Sequence, residues 1–588
     1  MAKDRVDCLW KHGKGKALPE PFARRIWLSL LGVAALAAML PAPVSQAAEA
    51  AHGMVVSAQH EASAAGLAIL KQGGNAIDAA VAVGYALAVV DPCCGNIGGG
   101  GFMLIRRGGN GPGSGTVFIN FRETAPGAAT ADMYLDASGN PIRDASLYGY
   151  RAVAVPGTVK GLDLALSRYG RLKREAVMTP AIALARDGFV LGEADAAIIA
   201  HAAGHLAADP EAARIFLHAD ATPYKAGERL TQPDLAATLA RIAAEGPDAF
   251  YRGPIAAALA TASAAHGGIL GAADLAAYTA TELPPLGCAY RGYRIVSAPP
   301  PSSGGTTLCE ILGILGGWDI GAAGFGSPRA VHLSVEAMRH AFFDRNSVLG
   351  DPDFVANPIE HLLSAEHAAT IRAGIDPDKA TPSAALGSVT ASGEKPQTTH
   401  YSAVDGEGNT VSVTYTLNGN FGASVVAPGT GFLLNDEMDD FAVKPGTANL
   451  FGLVQGAANA IAPGKRPLSS MAPTIVEKDG RPVFVLGSPG GPRIITAVLE
   501  TLMNLVDFGM TPDAAVVAPR FHHQYLPDTV FYETSGLPPQ TLGALTAMGH
   551  ALKEQAPWGA VELIAIEPDG TLIGVNDPRR PAGAAMGY

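Results

Sequence analysis

Cysteine, aromatic rings and charge are all scarce in this 588-residue chain, with five Cys, 6% Phe, Trp and Tyr, and 16% charged side chains. Five cysteines in such a length exclude a disulfide-stapled mini-protein, and no pair has the spacing of a structural metal site. Low charge beside 48% hydrophobic residues excludes a charge-rich disordered chain and a coiled coil. Positive charge is in deficit, 42 Lys+Arg against 54 Asp+Glu for a net of -12. That argues against a nucleic-acid partner, because phosphate binding draws its affinity from clustered Lys and Arg. The run Gly98-Gly99-Gly100-Gly101 leads into an apolar strand and lacks the GxGxxG order and following helix of a dinucleotide site, so it reads as backbone crowding. At roughly 150 residues per domain, the length by itself suggests about three or four units.

What charge there is falls unevenly. Residues 1–25 hold seven basic and three acidic side chains, a local net of +4, and Ile26 to Leu40 holds none. Pro41-Ala42-Pro43 and small residues at 45 and 47 follow, which is the layout of an export signal, residues 1–47. Its 15-residue apolar run is short of the ~20 a spanning helix needs, and no later segment reads as a membrane span. Arg24-Arg25 leaves twin-arginine export open. Cleavage near Ala47 leaves about 541 residues at net charge -16, exported to a periplasmic or extracellular space. Of the four cysteines that remain, adjacent Cys93 and Cys94 read as small buried thiols rather than a strained vicinal disulfide, and no chemistry is assigned to Cys288 or Cys309. The fifteen histidines are scattered, and the doublet His522-His523 reads as structural.

Along the chain, small apolar residues at helical spacing from Ser63 to Val90, broken at Gly73-Gly74-Asn75, predict two tightly packed helices, the second (Ala76 to Val90) buried nearly all round. Residues 170–275 read as alanine-rich helices, and strands and turns follow from about Tyr290. The Pro-, Ser- and Gly-rich stretch 366–396 reads as an exposed linker. Directly after it, Gln397 to Asn418 (QTTHYSAVDGEGNTVSVTYTLN) alternates as two strands around Gly406-Glu407-Gly408. A three-residue loop with a left-handed glycine pairs residues whose numbers sum to 814. Thr398 then faces Thr416, His400 faces Thr414 and Ser402 faces Ser412 on a hydroxyl-lined side, while Tyr401, Ala403, Val411, Val413 and Tyr415 share a dry one.

At these residues the sequence resembles the gamma-glutamyltransferase (glutathione hydrolase) family of N-terminal nucleophile hydrolases. The resemblance extends over Phe121-Arg122-Glu123, Pro299 to Gly305 (PPPSSGG), Gln397 to Tyr401, Tyr415 to Asn418, Asn435 to Phe441 (NDEMDDF), Arg466 to Thr474 (RPLSSMAPT), Gly487 to Gly491 (GSPGG) and Asn576 to Arg580 (NDPRR), in family order. It implies an α+β fold, a four-layer αββα sandwich. It also implies a precursor that cuts itself between Gln397 and Thr398 into a large subunit (48–397) and a small one (398–588), a heterodimer intertwined as one domain. Thr398 is the implied nucleophile, Thr416 its hydrogen-bonding partner, and Gly490 and Gly491 the oxyanion hole. Arg122, Ser469 and Ser470 are the implied carboxylate binders, and Asn418, Glu437 and Asp440 the ammonium binders. The implied substrates are glutathione and other gamma-glutamyl compounds, with water, amino acids or dipeptides as acceptors and no cofactor or metal.

Two rivals stand beside this expectation. A glutaryl or cephalosporin acylase on the same scaffold would leave Glu437 and Asp440 without an ammonium to face, and an uncleaved precursor would be a gamma-glutamyl binding protein. The chain departs from the family in having Glu437 where many bacterial relatives have glutamine. It also has Phe451 in the lid loop Pro445 to Lys465, where an aromatic hydroxyl often stands. Phenylalanine keeps the cover and forgoes a hydrogen bond to Asn418, so a looser lid is expected. Phe451→Tyr should then shift the ratio of acyl transfer to hydrolysis, measured with and without a dipeptide acceptor.

Overall fold

The computed structural model describes residues 47–109, 115–387 and 398–588, and Ser45–Tyr588 forms one compact unit. Most of the export signal and Gln397 therefore lie outside the described residues. Among these residues no helix is long and apolar enough to cross a membrane.

Two seven-stranded antiparallel sheets form the centre of the fold. The fourteen strands in chain order are β1 Ala48–Ala50, β2 Gly53–Ser57, β3 Gly100–Arg107, β4 Gly115–Phe121, β5 Thr281–Leu283, β6 Leu286–Tyr290, β7 Tyr293–Ser297, β8 Thr399–Asp405, β9 Thr410–Thr416, β10 Thr474–Lys478, β11 Arg481–Leu486, β12 Leu563–Ile566, β13 Leu572–Val575 and β14 Ala584–Gly587. One sheet runs β1-β13-β12-β11-β10-β7-β6 and the other β14-β2-β8-β9-β3-β4-β5. Each sheet thus combines strands from before and after Thr398.

Helices cover the two outer faces. On the second sheet lie α1 His60–Lys71, α2 Ala76–Val90 and α3 Thr158–Tyr169. On the first sheet α4 Gly304–Leu315 packs with α5 Pro328–Val348, α6 Ala365–Gly374 and α7 Arg493–Val506. The order helix, sheet, sheet, helix is the four-layer αββα sandwich that the resemblance implied. The helix pair predicted from the alanine pattern is α1 and α2. Asn75 caps α2 by accepting from the N–H groups of Ile77 and Asp78, and the Asp78 carboxylate answers to Asn75 N. Every residue of α2 is buried, since alanine and glycine let it press between its neighbours and the sheet.

Hairpin β8–β9 has the 814 register throughout, from Thr399 opposite Tyr415 to Val404 opposite Thr410, and Gly408 takes the left-handed turn position at φ 82°. Its dry side packs on the helices, where Tyr401 and Tyr415 meet edge to face at 5.8 Å. The hydroxyl-lined side does not face water. It lies against the first sheet, where Ser412 Oγ donates to Leu486 O at 3.1 Å and Ser402 Oγ to Glu562 O at 3.2 Å. Hydroxyls suit this position because each can satisfy a backbone carbonyl of the facing sheet. The glycine run is crowded as expected: a Cβ on Gly99 would stand 1.9 Å from Thr416 O.

Two expectations are corrected. Cys93 and Cys94 are joined as a vicinal disulfide, and Cys288 is joined to Cys309. The second bond links β6 to α4, 21 residues apart in sequence and brought together only by packing. Of the linker expected over 366–396, residues 388–396 lie outside the described residues, and the rest includes most of α6, whose Ala368 and Ile371 pack into the core, and Ser383, which is fully buried. Small residues in that stretch serve close packing as well as turns. The doublet His522-His523 is structural, with His523 Nε2 3.3 Å from Asp528 and His522 Nε2 2.9 Å from Gln524.

His400 shows what the sheet interface demands. Its Nδ1 lies 2.8 Å from Thr414 Oγ1 and its Nε2 3.2 Å from Ser402 Oγ, and burial lowers its pKa from 6.5 to about 3. The fold keeps the ring neutral while the unfolded chain protonates it below about 6.5, so this contribution to stability is lost as pH falls from about 6.5 towards about 3. His400→Asn should flatten the fall by up to about 1.4 kcal/mol per pH unit in that window, read from urea unfolding at pH 7 and pH 4.5.

Candidate functional site

The hairpin register sets the centre of the site. Thr398 immediately precedes β8 and Thr416 ends β9, so continuing the observed pairing puts the two threonines opposite each other at the open end of the hairpin. Thr416 also pairs with Gly100 on β3, and Gly101 pairs with Phe121 on β4, which carries Arg122 to the same sheet end. Beyond Thr416 the chain reverses at Asn418, held at φ 81° with its N–H donating 2.9 Å to Thr416 Oγ1 and its Nδ2 3.1 Å to Asp436 O. That turn leads to the single helical turn Glu437–Asp440.

Two loops from the other sheet complete the walls. Ser469 and Ser470 lie beside the Pro-Ser corner, where Ser303 donates to Ser469 O from both N (2.8 Å) and Oγ (2.7 Å). Gly490 and Gly491 precede α7 with φ of 134° and 56°, conformations that favour glycine, and the first N–H groups of the helix turn back on this loop, Arg493 N to Gly490 O and Ile494 N to Gly491 O, both at 3.1 Å.

Arg122, Thr398, Thr416, Asn418, Asp440, Ser469, Ser470 and Gly491 line one small cavity, together with Phe451, Met471 and Ile494. Two of the sequence-derived residues stand outside this lining. Glu437 lies behind Arg122, and Gly490 faces a neighbouring cavity walled by Gln59, Trp558 and Arg580. The cavity measures about 20 Å³, room for a single water. Phe451 closes it: its ring packs where a Cβ on Gly491 would come within 2.6 Å, and its carbonyl accepts from Gln524 Nε2 at 3.1 Å.

Charge in the site is concentrated and dry. Arg122, fully buried, lies 2.7 Å from Glu437 Oε2 and 3.4 Å from Glu123 Oε2, and it donates to Asp440 Oδ2. Residues expected to bind opposite ends of a zwitterion are here paired with one another. Burial opposes the guanidinium charge, but the attraction of Glu437, Asp440 and Glu123 outweighs it and holds the Arg122 pKa above its ordinary value. One cation among three carboxylates leaves negative charge in excess. Burial accordingly raises Glu437 well above the usual carboxylate range and Glu123 to about 7, against the pull of Arg122. Neither Glu437 oxygen accepts an aligned hydrogen bond.

Sequence reading missed Arg345, whose Nη2 donates 3.0 Å to Ser470 Oγ, and Gln455, whose Nε2 donates 3.0 Å to Asp440 O. An arginine in a mixed helix reads as solvated, and only its burial at 1% exposure marks it out. Two clusters with metal-ligand chemistry, His332 with Glu336 and His550, and Glu310 with Asp344 and His367, contribute nothing to the cavity lining.

A family model described as gamma-glutamyltranspeptidase matches residues 62–587. The chain belongs to the gamma-glutamyltranspeptidase family. Among relatives, a protein named glutathione hydrolase proenzyme from Pseudomonas sp. (strain A14) is 52% identical over 549 residues, covering 92% of this chain and 95% of the relative. The protein of the same name from Escherichia coli (strain K12) is 48% identical, covering 92% of each. The crystal structure of cephalosporin acylase from Bacillus halodurans matches with a TM-score of 0.82 at 29% identity, covering 94% of this chain and 98% of that one. The gamma-glutamyltranspeptidase fold of this chain is therefore shared with an enzyme named for other substrates, and residues around the cavity have to decide between them.

Arg122→Gln should leave the buried carboxylates of Glu123, Glu437 and Asp440 without their cation. A loss of about 3–5 kcal/mol is expected, measured as a lower denaturant midpoint, with Arg122→Lys retaining part of it.

Proposed function

We propose that this chain is a self-processing gamma-glutamyltransferase and glutathione hydrolase. The observation that carries the reading is one cavity in which a threonine at the start of a strand faces a second threonine, walled by a guanidinium, two serines, an asparagine and an aspartate. Its relatives' names point to the same activity.

Maturation begins when Thr398 Oγ attacks the Gln397 carbonyl carbon. The Gln397–Thr398 C–N bond breaks as the Oγ proton passes to the nitrogen, leaving a free Thr398 amine and an ester of Gln397 on Thr398 Oγ, and water hydrolyses that ester to a Gln397 carboxylate and the Thr398 hydroxyl. The products are a large fragment of about 350 residues, once residues 1–47 are removed on export, and a small one of 191 residues. The new amine is the base that Thr398 lacked as an amide, with a reference pKa of about 7.7–8.0. It takes the Thr398 Oγ proton as the oxygen attacks the gamma-carbonyl of the substrate, and N–H groups at Gly490 and Gly491 meet the charge on the tetrahedral oxygen. Collapse expels the leaving amine with that proton. The gamma-glutamyl ester then passes to water or to the amine of an amino acid or dipeptide. Neither step calls on a metal or an organic cofactor.

Recognition follows from opposite charges at the amino-acid end of the substrate. Ser469, Ser470 and Arg122 take the carboxylate, and Asn418, Asp440 and Glu437 take the ammonium. A glutaryl group lacks the ammonium and leaves Arg122 as the sole cation beside Glu437, Asp440 and Glu123, a cost that favours gamma-glutamyl over glutaryl substrates. The cavity of about 20 Å³ admits neither group, so cleavage or lid movement has to open it.

On a denaturing gel the purified protein should resolve into fragments of about 350 and 191 residues. Thr398→Ala should remain one band and lose at least about a thousandfold in gamma-glutamyl anilide hydrolysis. A single wild-type band, or faster cleavage of the glutaryl anilide, would overturn the reading.

A further inference from the structure

Arg345, on α5, has 1% of its surface exposed and makes four hydrogen bonds, every one to an uncharged oxygen. Nε donates to Ser303 Oγ at 3.0 Å, Nη1 to Asn346 Oδ1 at 2.8 Å and to Gln455 Oε1 at 3.3 Å, and Nη2 to Ser470 Oγ at 3.0 Å. Burial lowers its pKa to about 10, which still leaves it charged at neutral pH, and Asp440 is the carboxylate whose charge acts on it. A buried cation whose bonds all end on neutral oxygens is costly unless an anion comes to it. Arg122 contrasts with it, being engaged by Glu437, Asp440 and Glu123.

The hydrogen-bond directions at this corner are fixed by chemistry. Guanidinium has donors only, so Ser470 Oγ must accept from Arg345 and its own O–H is left to donate. Ser470 lines the cavity beside Thr398. A hydroxyl polarised by a cation behind it is a stronger donor to an anion in front of it. Ser303 works similarly, accepting from Arg345 Nε while its Oγ donates to Ser469 O at 2.7 Å. Arg345 therefore fixes both serines. Through Gln455, which also donates to Asp440 O at 3.0 Å, it reaches the lid and the opposite wall.

We propose that Arg345 is the positioning residue for the carboxylate end of the substrate, adding through Ser470 and Ser303 to the positive charge of Arg122, which three carboxylates share. This rests on the gamma-glutamyl reading of the cavity. Arg345 does not touch the reacting atoms, so its effect belongs in substrate affinity and in discrimination for the carboxylate.

The test is steady-state kinetics on the processed enzyme with two p-nitroanilides, gamma-glutamyl and 4-aminobutyryl, which differ only in the alpha-carboxylate. Arg345→Gln should raise KM for the gamma-glutamyl substrate by about ten- to a hundredfold, the range of a hydrogen bond to a charged group, with kcat within about threefold. Its kcat/KM for the 4-aminobutyryl substrate should stay within the same threefold. Arg345→Lys, which keeps a charge and a donor, should recover part of the KM. An unchanged KM, a fall confined to kcat, or an equal loss on both substrates would overturn the proposal. If Arg345→Gln fails to fold or to process, Arg345→Lys carries the test: a drop in the ratio of the two kcat/KM values supports the proposal, and an unchanged ratio overturns it. Wild-type enzyme inactive on gamma-glutamyl anilide would instead overturn the functional reading on which the proposal rests.

Discussion

A slip of one residue in hairpin β8–β9 would send Tyr401, Val413 and Tyr415 into the sheet interface and His400, Ser402 and Ser412 against the helices. Both faces of the hairpin are buried, so both sets would lose their partners at once. The Tyr415 hydroxyl would lose Gly84 O, which it reaches at 2.8 Å, and Ser412 would lose Leu486 O. This two-sided burial fixes the register, and the register places Thr398 across from Thr416. The neighbouring strand pairs then bring Gly100 and Arg122 to the same end of the sheet. The geometry of the site is inherited from the alternation of seven residues on each of two strands.

The second constraint is electrostatic. A small buried site that holds both signs of charge at close quarters with little water leaves those charges to pair with each other. Arg122 with Glu437 and Asp440 is that arrangement. Burial, with the neighbouring carboxylates adding to it, raises the Glu437 and Glu123 carboxyls, while Arg345, behind the serines, keeps its charge among neutral oxygens. The two arginines are thus unequal: one neutralises the acidic wall and the other faces the hydroxyls. The same scaffold carries an enzyme named as a cephalosporin acylase, so the two sheets by themselves do not decide what the cavity accepts.

Closure by the lid links these two parts. Phe451 presses on Gly491, the loop around it is fastened to Asp439 through Leu450 N, and Gln455 and Asn459 both donate to Asp440 O. The lid is therefore tied to the same acidic turn that carries Asp440 into the cavity wall. Phe451 needs no hydroxyl to be held in place, because its ring fits the space that only glycine at 491 leaves.

Local pattern was enough for much of this. Alanine at helical spacing located α1 and α2, alternation and a glycine loop gave the hairpin and its register, and motifs in family order named most cavity residues. Charge and patterning at the N-terminus suggested export. Pattern failed where distant segments meet. Cys288 and Cys309 bond because α4 packs on β6, and the hydroxyl face of β8–β9 is dry because a second sheet covers it. Arg345 looks like any surface arginine until the serine corner closes over it, and Glu437 is expected at the cavity wall but stands behind Arg122. Alternation and turn chemistry act between neighbours in the chain and are written in the sequence. Burial, pKa and the pairing of charges depend on what lies on the far side of a face, and only the packed layers decide that.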